Sequence, residues 1–361
     1  MYERIYVCHT FYHVYIACIK ELLLKNKEDS GRAGLVLSLM SNDFSGLKDR
    51  ISGSGLFAEV IEYDEKHYDF FPELKKYKED GKNIIKNMLN RIAFCRKYAI
   101  LQKDFVPVDF KKYKEVYVFC DSDPVGYYLN YYKIPYHALE DGLDCLKYYD
   151  SARYDNRGHF NIKAWFAKTG LIFIQNGWAK YCIDMEVNDI SAIKYPCPKY
   201  KELRRAALVK ELKGEDKEIL LKIFIENYDE LSLLEKRIKE TKSSCVLILT
   251  EPLCDKDTRK RLFSDIVREY GAINGKKAEI IIKRHPRDIL KYTEFFPDAI
   301  VLDSPFPMEI LNLMNGIRFD RIVSVYTVLD SFDDSAEKIY LGNDFMDKYE
   351  DPSLHRKNEI I

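Results

Sequence analysis

Short apolar, β-branched runs recur along the chain, each bounded by polar residues, Gly or Pro, and they fall into two series. The first comprises Arg4–Cys8, Leu35–Met40, Ala58–Tyr63, Glu115–Cys120 and Tyr136–Leu139. Between them lie stretches expected to be helical: Phe11–Lys25, a long charged segment from about Pro72 to Gln102, and Pro124–Tyr132. Strands alternating with helices predict a largely parallel sheet covered on both faces. The second series starts at Cys245–Leu249 and continues through Ile280–Lys283, Ala299–Leu302 and Arg321–Val325, with helices expected at about Lys256–Tyr270 and Pro307–Met314. Between the two series, Pro198–Ser243 is dense in Lys, Glu and Leu. Its apolar positions, among them Leu220, Leu221, Ile223, Phe224, Leu231 and Leu234, predict two helices. The expected organisation is one α/β domain over residues 1–197, a helical connector over 198–243 and a smaller α/β domain over 244–361.

Composition narrows the function classes. The 361 residues are enough for two domains, and 57 basic against 58 acidic residues leave no net field to hold a polyanion, so nucleic acid is not an expected partner. No run of 18 apolar residues occurs, and the start, MYERIYVCHTFYH, lacks the charged and apolar regions of a signal peptide; the chain is read as cytoplasmic. Nine cysteines, an odd number without a CxxC pair, read as reduced core thiols. The 27 tyrosines, clustered for example at Tyr127, Tyr128, Tyr131 and Tyr132, suit a core rim where the ring is buried and the hydroxyl stays wet. Trp165 and Trp178 are likewise expected to pack in the core.

Three groups of residues carry candidate chemistry. Glu140-Asp141-Gly142 follows the strand Tyr136–Leu139, where open α/β sheets place ligands; Asp141 reads either as a proton acceptor or as part of an ordinary Asp-Gly turn. Lys283-Arg284-His285-Pro286-Arg287 ends an apolar strand just before an expected proline-opened helix. That cluster is either an anion site, with His285 able to pass a proton near neutral pH, or a solvated basic turn. Glu309, expected in the first turn of a helix, suits the hydroxyls of a ribose, and Tyr326 and Thr327 follow a strand where their hydroxyls and amides suit phosphate; ordinary helix-start chemistry explains the glutamate as well.

With the first strand-turn, Tyr6-Val7-Cys8-His9-Thr10-Phe11-Tyr12-His13, these motifs in this order resemble the bacterial sialyltransferases, most closely the lipooligosaccharide sialyltransferases of glycosyltransferase family 52. The resemblance implies a GT-B fold: two Rossmann-like domains facing a central cleft, the first binding the acceptor sugar and the second a CMP-sialic acid donor, with inversion at the anomeric centre. It gives Asp141 the role of general base and His285 that of stabilising or protonating the departing phosphate. Lys283 and Thr250 fall on the donor side, Glu309 on the ribose, and Tyr326-Thr327 where a Ser-Ser or Ser-Thr pair usually holds phosphate; the tyrosine departs from that pattern. His9, Thr10, Glu140 and Gly142 line the acceptor cleft. Asp255, in the segment Thr250–Asp257, rivals Asp141 as base, although Asp255 and Asp257 also suit helix caps. A tertiary sialyl donor loses its nucleotide readily, so the protein's task is to neutralise a phosphate and position a hydroxyl, and no metal or other cofactor is expected.

Two other readings stand beside this one. Asp121-Ser122-Asp123 after a strand is how metal-dependent hexosyltransferases hold Mn²⁺ and a nucleoside diphosphate, with Ser122 or Asp123 as a cap for the following helix in the alternative. A noncatalytic glycan-binding module is the other. His13 reads as a packed polar side chain, and His67, His137, His159 and His355 as structural or surface residues. The sequence leaves open which glycan or glycolipid is the acceptor, which linkage forms, whether the 198–243 helices make a homodimer, and whether the protein touches the inner face of the plasma membrane.

Overall fold

A computed structural model of the chain describes residues 2–26, 32–44, 46–79, 83–119, 121–142, 146, 160–173, 176–193, 196–314, 316–329, 332 and 335–355. It divides into two compact units, Met1–Asp216 and Lys217–Ile361.

The first unit contains β1 (Tyr2–Cys8), α1 (Phe11–Asn26), β2 (Ala33–Ser38), α2 (Leu47–Ser54), β3 (Glu59–Tyr63), α3 (Ile84–Gln102), β4 (Tyr113–Val118), α4 (Pro124–Tyr131), β5 (Tyr136–Leu139), α5 (Phe160–Thr169), β6 (Cys182–Val187), β7 (Tyr200–Glu202) and α6 (Arg205–Glu211). All seven strands pair parallel in the order β3-β2-β1-β4-β5-β6-β7. β2 is buried along its whole length because helices cover both faces, which is why its sequence is apolar up to the final Ser38 instead of alternating. The strand order reverses between β1 and β4, so the crevice of this sheet opens at the carboxyl ends of those two strands. An apolar cluster including Ile5, Val7, Val118, Leu129 and Met185 fills one layer, and a second, with Phe94, Tyr98, Tyr127 and Trp178, packs under α3 and α5.

The second unit holds most of α7 (Gly214–Phe224), then α8 (Tyr228–Thr241), β8 (Cys245–Leu249), α9 (Lys256–Tyr270), a small hairpin of β9 (Ala272–Ile273) and β10 (Lys276–Lys277), β11 (Glu279–Lys283), β12 (Ile300–Leu302), β13 (Arg321–Ser324), β14 (Glu337–Tyr340) and α10 (Gly342–Met346). Its sheet is parallel throughout, in the order β12-β11-β8-β13-β14, and its switch point lies between β8 and β13. The Asp255 side chain accepts the amides of Asp257 and Thr258 and so fixes where α9 starts; Leu262, Phe263 and Ile266 of that helix are buried on the sheet.

Several elements differ from the sequence expectation. The stretch 198–243 is not two helices of a separate connector: it holds β7, which extends the first sheet, and three helices, and it divides between the units at Asp216. Pro72 opens a 3₁₀ helix, Pro72–Tyr77, and the α-helix begins only at Ile84, where the Asn83 side chain accepts the amides of Ile85 and Lys86. No helix follows His285-Pro286, where a turn runs to the 3₁₀ segment Tyr292–Glu294, so no helix amino terminus adds to that basic strand end. The helix expected over Pro307–Met314 is 3₁₀, Met308–Leu313. Trp178 packs in the core as expected, but Trp165 is 59% exposed. Seven cysteines are buried, while Cys120 and Cys145 lie outside the described residues, as does His159. Among the described residues, no helix is long and apolar enough to cross a membrane.

Candidate active site

In the first unit the candidate residues gather at the switch point. The turn after β1 carries His9 and Thr10, and the Thr10 hydroxyl accepts the amide of His13 at the start of α1 (3.2 Å). Asp141 follows β5 by two residues, and its Oδ1 pairs with His13 Nε2. The adjacent Gly142 has φ 131°, a backbone conformation that favours glycine. Glu140 turns away from this group: it is buried, accepts the amide of Asn188 (2.5 Å), and burial holds its carboxyl above the usual range. His13, which the sequence suggested was only packing, is thus the direct partner of the candidate base.

His9 has a different environment. Its Nε2 lies 2.6 Å from Glu65 Oε2 and 3.6 Å from Asp123. Burial pulls its pKa down, but the charges of Glu65 and Asp123 and the bond to Glu65 outweigh it, and the imidazole is raised to about 9. Glu65, two residues after β3, also accepts the Ser38 hydroxyl (2.6 Å) and the Val125 amide at the start of α4 (2.7 Å). This one carboxylate therefore ties three strand ends to a helix start. Nothing in the local sequence signals it, since Glu65 lies in an ordinary polar stretch. It also does the capping expected of Ser122 or Asp123: Asp123 occupies the N-cap position of α4 without a side-chain cap bond.

Both carboxylate oxygens of Asp121, the first of the Asp-x-Asp pair, are engaged within the protein. Asp121 Oδ1 accepts the Asn176 amide (2.8 Å), and Oδ2 accepts the Tyr136 hydroxyl (3.0 Å) and the Gly177 amide (3.3 Å). Burial raises this carboxyl to about 6 against those bonds. Its role is to close the loop before β6 onto the end of β4.

In the second unit, residues after β8, β11 and β13 meet at the other switch point. The Thr250 hydroxyl accepts the His285 amide (3.0 Å), and His285 Nδ1 accepts the Arg287 amide (3.1 Å), so a neutral His285 carries its proton on Nε2. Lys283 is 3% exposed, its ammonium lies 4.1 Å over the Phe306 ring and donates to the Arg284 carbonyl (2.9 Å). Burial, followed by the neighbouring Arg284 charge, brings it down to about 7. Arg284 itself is engaged by Asp303 (2.8 Å) and by the Asp303 and Asp288 carbonyls. Glu309 sits in the 3₁₀ turn after β12, where burial raises its carboxyl. The donors expected to hold phosphate already hold an anion. The buried Glu251 carboxylate accepts the amides of Tyr326 (3.0 Å) and Thr327 (2.5 Å) and the Thr327 hydroxyl. Asp255 serves as the α9 cap, and the Thr258 hydroxyl, followed by the amides it accepts, keeps its carboxyl below the usual range.

The model of glycosyltransferase family 52 matches residues 62–341, most of the chain and all of the second-unit site. The chain belongs to glycosyltransferase family 52. Among solved structures, this family 52 protein is similar to the GT-B domain of a sialyltransferase from Photobacterium damselae, with 12% identity, 94% of this chain and 90% of that chain covered, and a TM-score of 0.50. It is similar as well to an α/β-galactoside α-2,3-sialyltransferase from Photobacterium phosphoreum, with 11% identity, 93% and 88% coverage and a TM-score of 0.48. At such identity the likeness to the first establishes the fold, GT-B. An uncharacterized protein of Haemophilus influenzae is 26% identical over 98 residues, spanning 26% of this chain and 30% of that protein.

Proposed function

We propose that this family 52 protein is an inverting sialyltransferase that moves sialic acid from CMP-sialic acid to a hydroxyl of a terminal sugar, galactose in a glycan or lipooligosaccharide. The observation that carries this reading is that Lys283, His285, Thr250 and Thr327 stand at the carboxyl ends of the adjacent strands β11, β8 and β13 of one parallel sheet, with the Thr250 hydroxyl accepting the His285 amide, where a single phosphate would meet a buried lysine amine, an imidazole N–H and hydroxyls. Glu309 would take the ribose hydroxyls. In the transfer, the acceptor oxygen bonds to the anomeric carbon as the bond to the CMP phosphate breaks. The electron pair leaves with CMP, and the hydroxyl proton passes to Asp141. His285 Nε2–H then meets the charge growing on the phosphate, and Lys283, brought to about 7 by burial, is ready to take a proton when the anion arrives.

The amides and hydroxyl at Tyr326 and Thr327 join the phosphate site by exchanging the Glu251 carboxylate for the phosphate. Asp141 is favoured over Asp255 because the Asp255 carboxylate is committed to capping a helix. No metal or other cofactor enters this scheme, and the engagement of both Asp121 oxygens favours it over a metal-dependent hexosyl transfer. A soluble acceptor glycan or a glycolipid at the inner face of the plasma membrane fits equally, as does a homodimer.

Incubation with CMP-sialic acid and a panel of galactose-terminated glycans, with EDTA present, is expected to give a product one sialyl unit heavier, and no such product with UDP- or GDP-hexoses. Transfer only from a hexosyl donor, or only with Mn²⁺ restored, would sink the proposal.

A further inference from the structure

The second unit holds a chain of buried polar groups that the transfer scheme does not use. Arg259, Asp288 and Tyr292 are all buried. Asp288 Oδ1 pairs with Arg259 Nη1 at 2.6 Å and accepts the Leu290 amide at 3.0 Å, while Oδ2 accepts the Tyr292 hydroxyl at 2.8 Å. Tyr292 is hydrogen-bonded in turn to the side chain of Thr250, whose hydroxyl accepts the His285 amide at 3.0 Å. On its other side Arg259 reaches back to the loop after β8: Nε donates to the Leu253 carbonyl at 2.6 Å and Nη2 to the Cys254 carbonyl at 2.8 Å. The loop after β8, the first turns of α9 and the segment 285–292 are thereby closed into one ring of hydrogen bonds.

We propose that Tyr292, Asp288 and Arg259 are positioning residues for His285: acting through Thr250 and through the turn at 285–288, they hold the backbone from which its imidazole projects. The proposal rests on the reading of His285 as the group that meets the departing phosphate. His285 needs such support because a turn, not a helix, follows β11. Its amide is held by Thr250, and its carbonyl accepts the Asp288 amide at 2.9 Å, so Asp288 grips the histidine from both sides. The loop after β8 is equally dependent on its bonds. Cys254 has φ 45°, a conformation that a residue with a side chain rarely adopts, and Arg259 fixes its carbonyl. A buried ion pair such as Arg259–Asp288 stabilises a fold little more than apolar residues of the same volume; what it contributes here is one defined arrangement of two loops. Burial, followed by the Asp288 charge, raises the Tyr292 hydroxyl above its ordinary value, so it stays protonated and keeps donating to Asp288.

The test is a double-mutant cycle in the full chain, built from Tyr292→Phe, His285→Ala and the two together, with transfer from CMP-sialic acid as the readout. Tyr292→Phe keeps the ring in place and removes only the link between Thr250 and Asp288. It is expected to lower kcat roughly 10–100-fold, with the KM for CMP-sialic acid unchanged. In the His285→Ala background the same substitution should change kcat less than about twofold, because the group it positions is already gone. A residue that merely supports the fold would slow both backgrounds by the same factor, and that result overturns the proposal. So does a Tyr292→Phe chain with the parent kcat, or one that no longer unfolds cooperatively with a thermal shift on adding CMP, since either shows that the bond does not act through the histidine. His285→Ala alone separates the two levels: at the parent rate it refutes the role of His285 itself, whereas a slow His285→Ala that Tyr292→Phe slows further, by the factor seen in the parent, rejects the positioning role only.

Discussion

Glu251 illustrates how a single side chain can decide the chemistry of a site. Three donors from Tyr326 and Thr327 converge on one buried carboxylate, and a convergence of backbone amides and a hydroxyl selects for anions generally. If the donor phosphate takes the same groups, the carboxylate competes with it, and their like charges repel at close range. Glu251→Gln should then tighten CMP binding, on the order of tenfold by isothermal titration calorimetry, which corresponds to about 1.4 kcal/mol. Weaker binding in that variant would instead mean that the carboxylate braces the loop and the phosphate sits elsewhere. The site was half legible at this scale. Lys283, His285, Thr250, Thr327 and Asp141 stand in recognisable strings at strand ends, whereas Glu65, Glu251 and His13 owe their roles to partners 60, 75 and 128 residues away. No local pattern can encode such distances.

At the scale of elements, the start of α4 shows why one position admits only glycine. A Cβ on Gly126 would lie 1.9 Å from the Asp121 carbonyl oxygen, because the helix folds back against the chain that precedes it. That return brings Asp121 onto the amides of Asn176 and Gly177 and lets Glu65 cap the helix. Gly126→Ala is expected to destabilise the protein by about 3 kcal/mol or more, seen as a lowered midpoint in urea or heat, since backbone on both sides must move. The 3₁₀ segments at Pro72 and Met308, and the turn at Pro286, are where sequence reading failed. A proline permits a helix start without requiring one, and the choice among α, 3₁₀ and turn depended on what packs around it: Leu74 and Leu313 are buried at those places.

For the whole molecule, two parallel sheets with the same reversal of strand order provide two switch points, one carrying the residues assigned to the acceptor and the other those assigned to CMP. Hydrogen exchange of the full chain should separate them. CMP is expected to slow exchange around residues 249–251, 283–287 and 325–327, and an acceptor glycan around 8–13 and 140–142; protection by CMP confined to the first unit would reverse the assignment. The sequence by itself determined the alternation of strands and helices, the bounds of β5, β8 and α9, and most of the strand-end residues, because period and capping chemistry are written within a few positions. Tertiary structure alone decided which unit claims residues 198–243, that Asp121 of the Asp-x-Asp pair closes a loop, and which partner holds each catalytic candidate. Those outcomes are set by contacts between segments far apart along the chain, formed only when the sheets assemble.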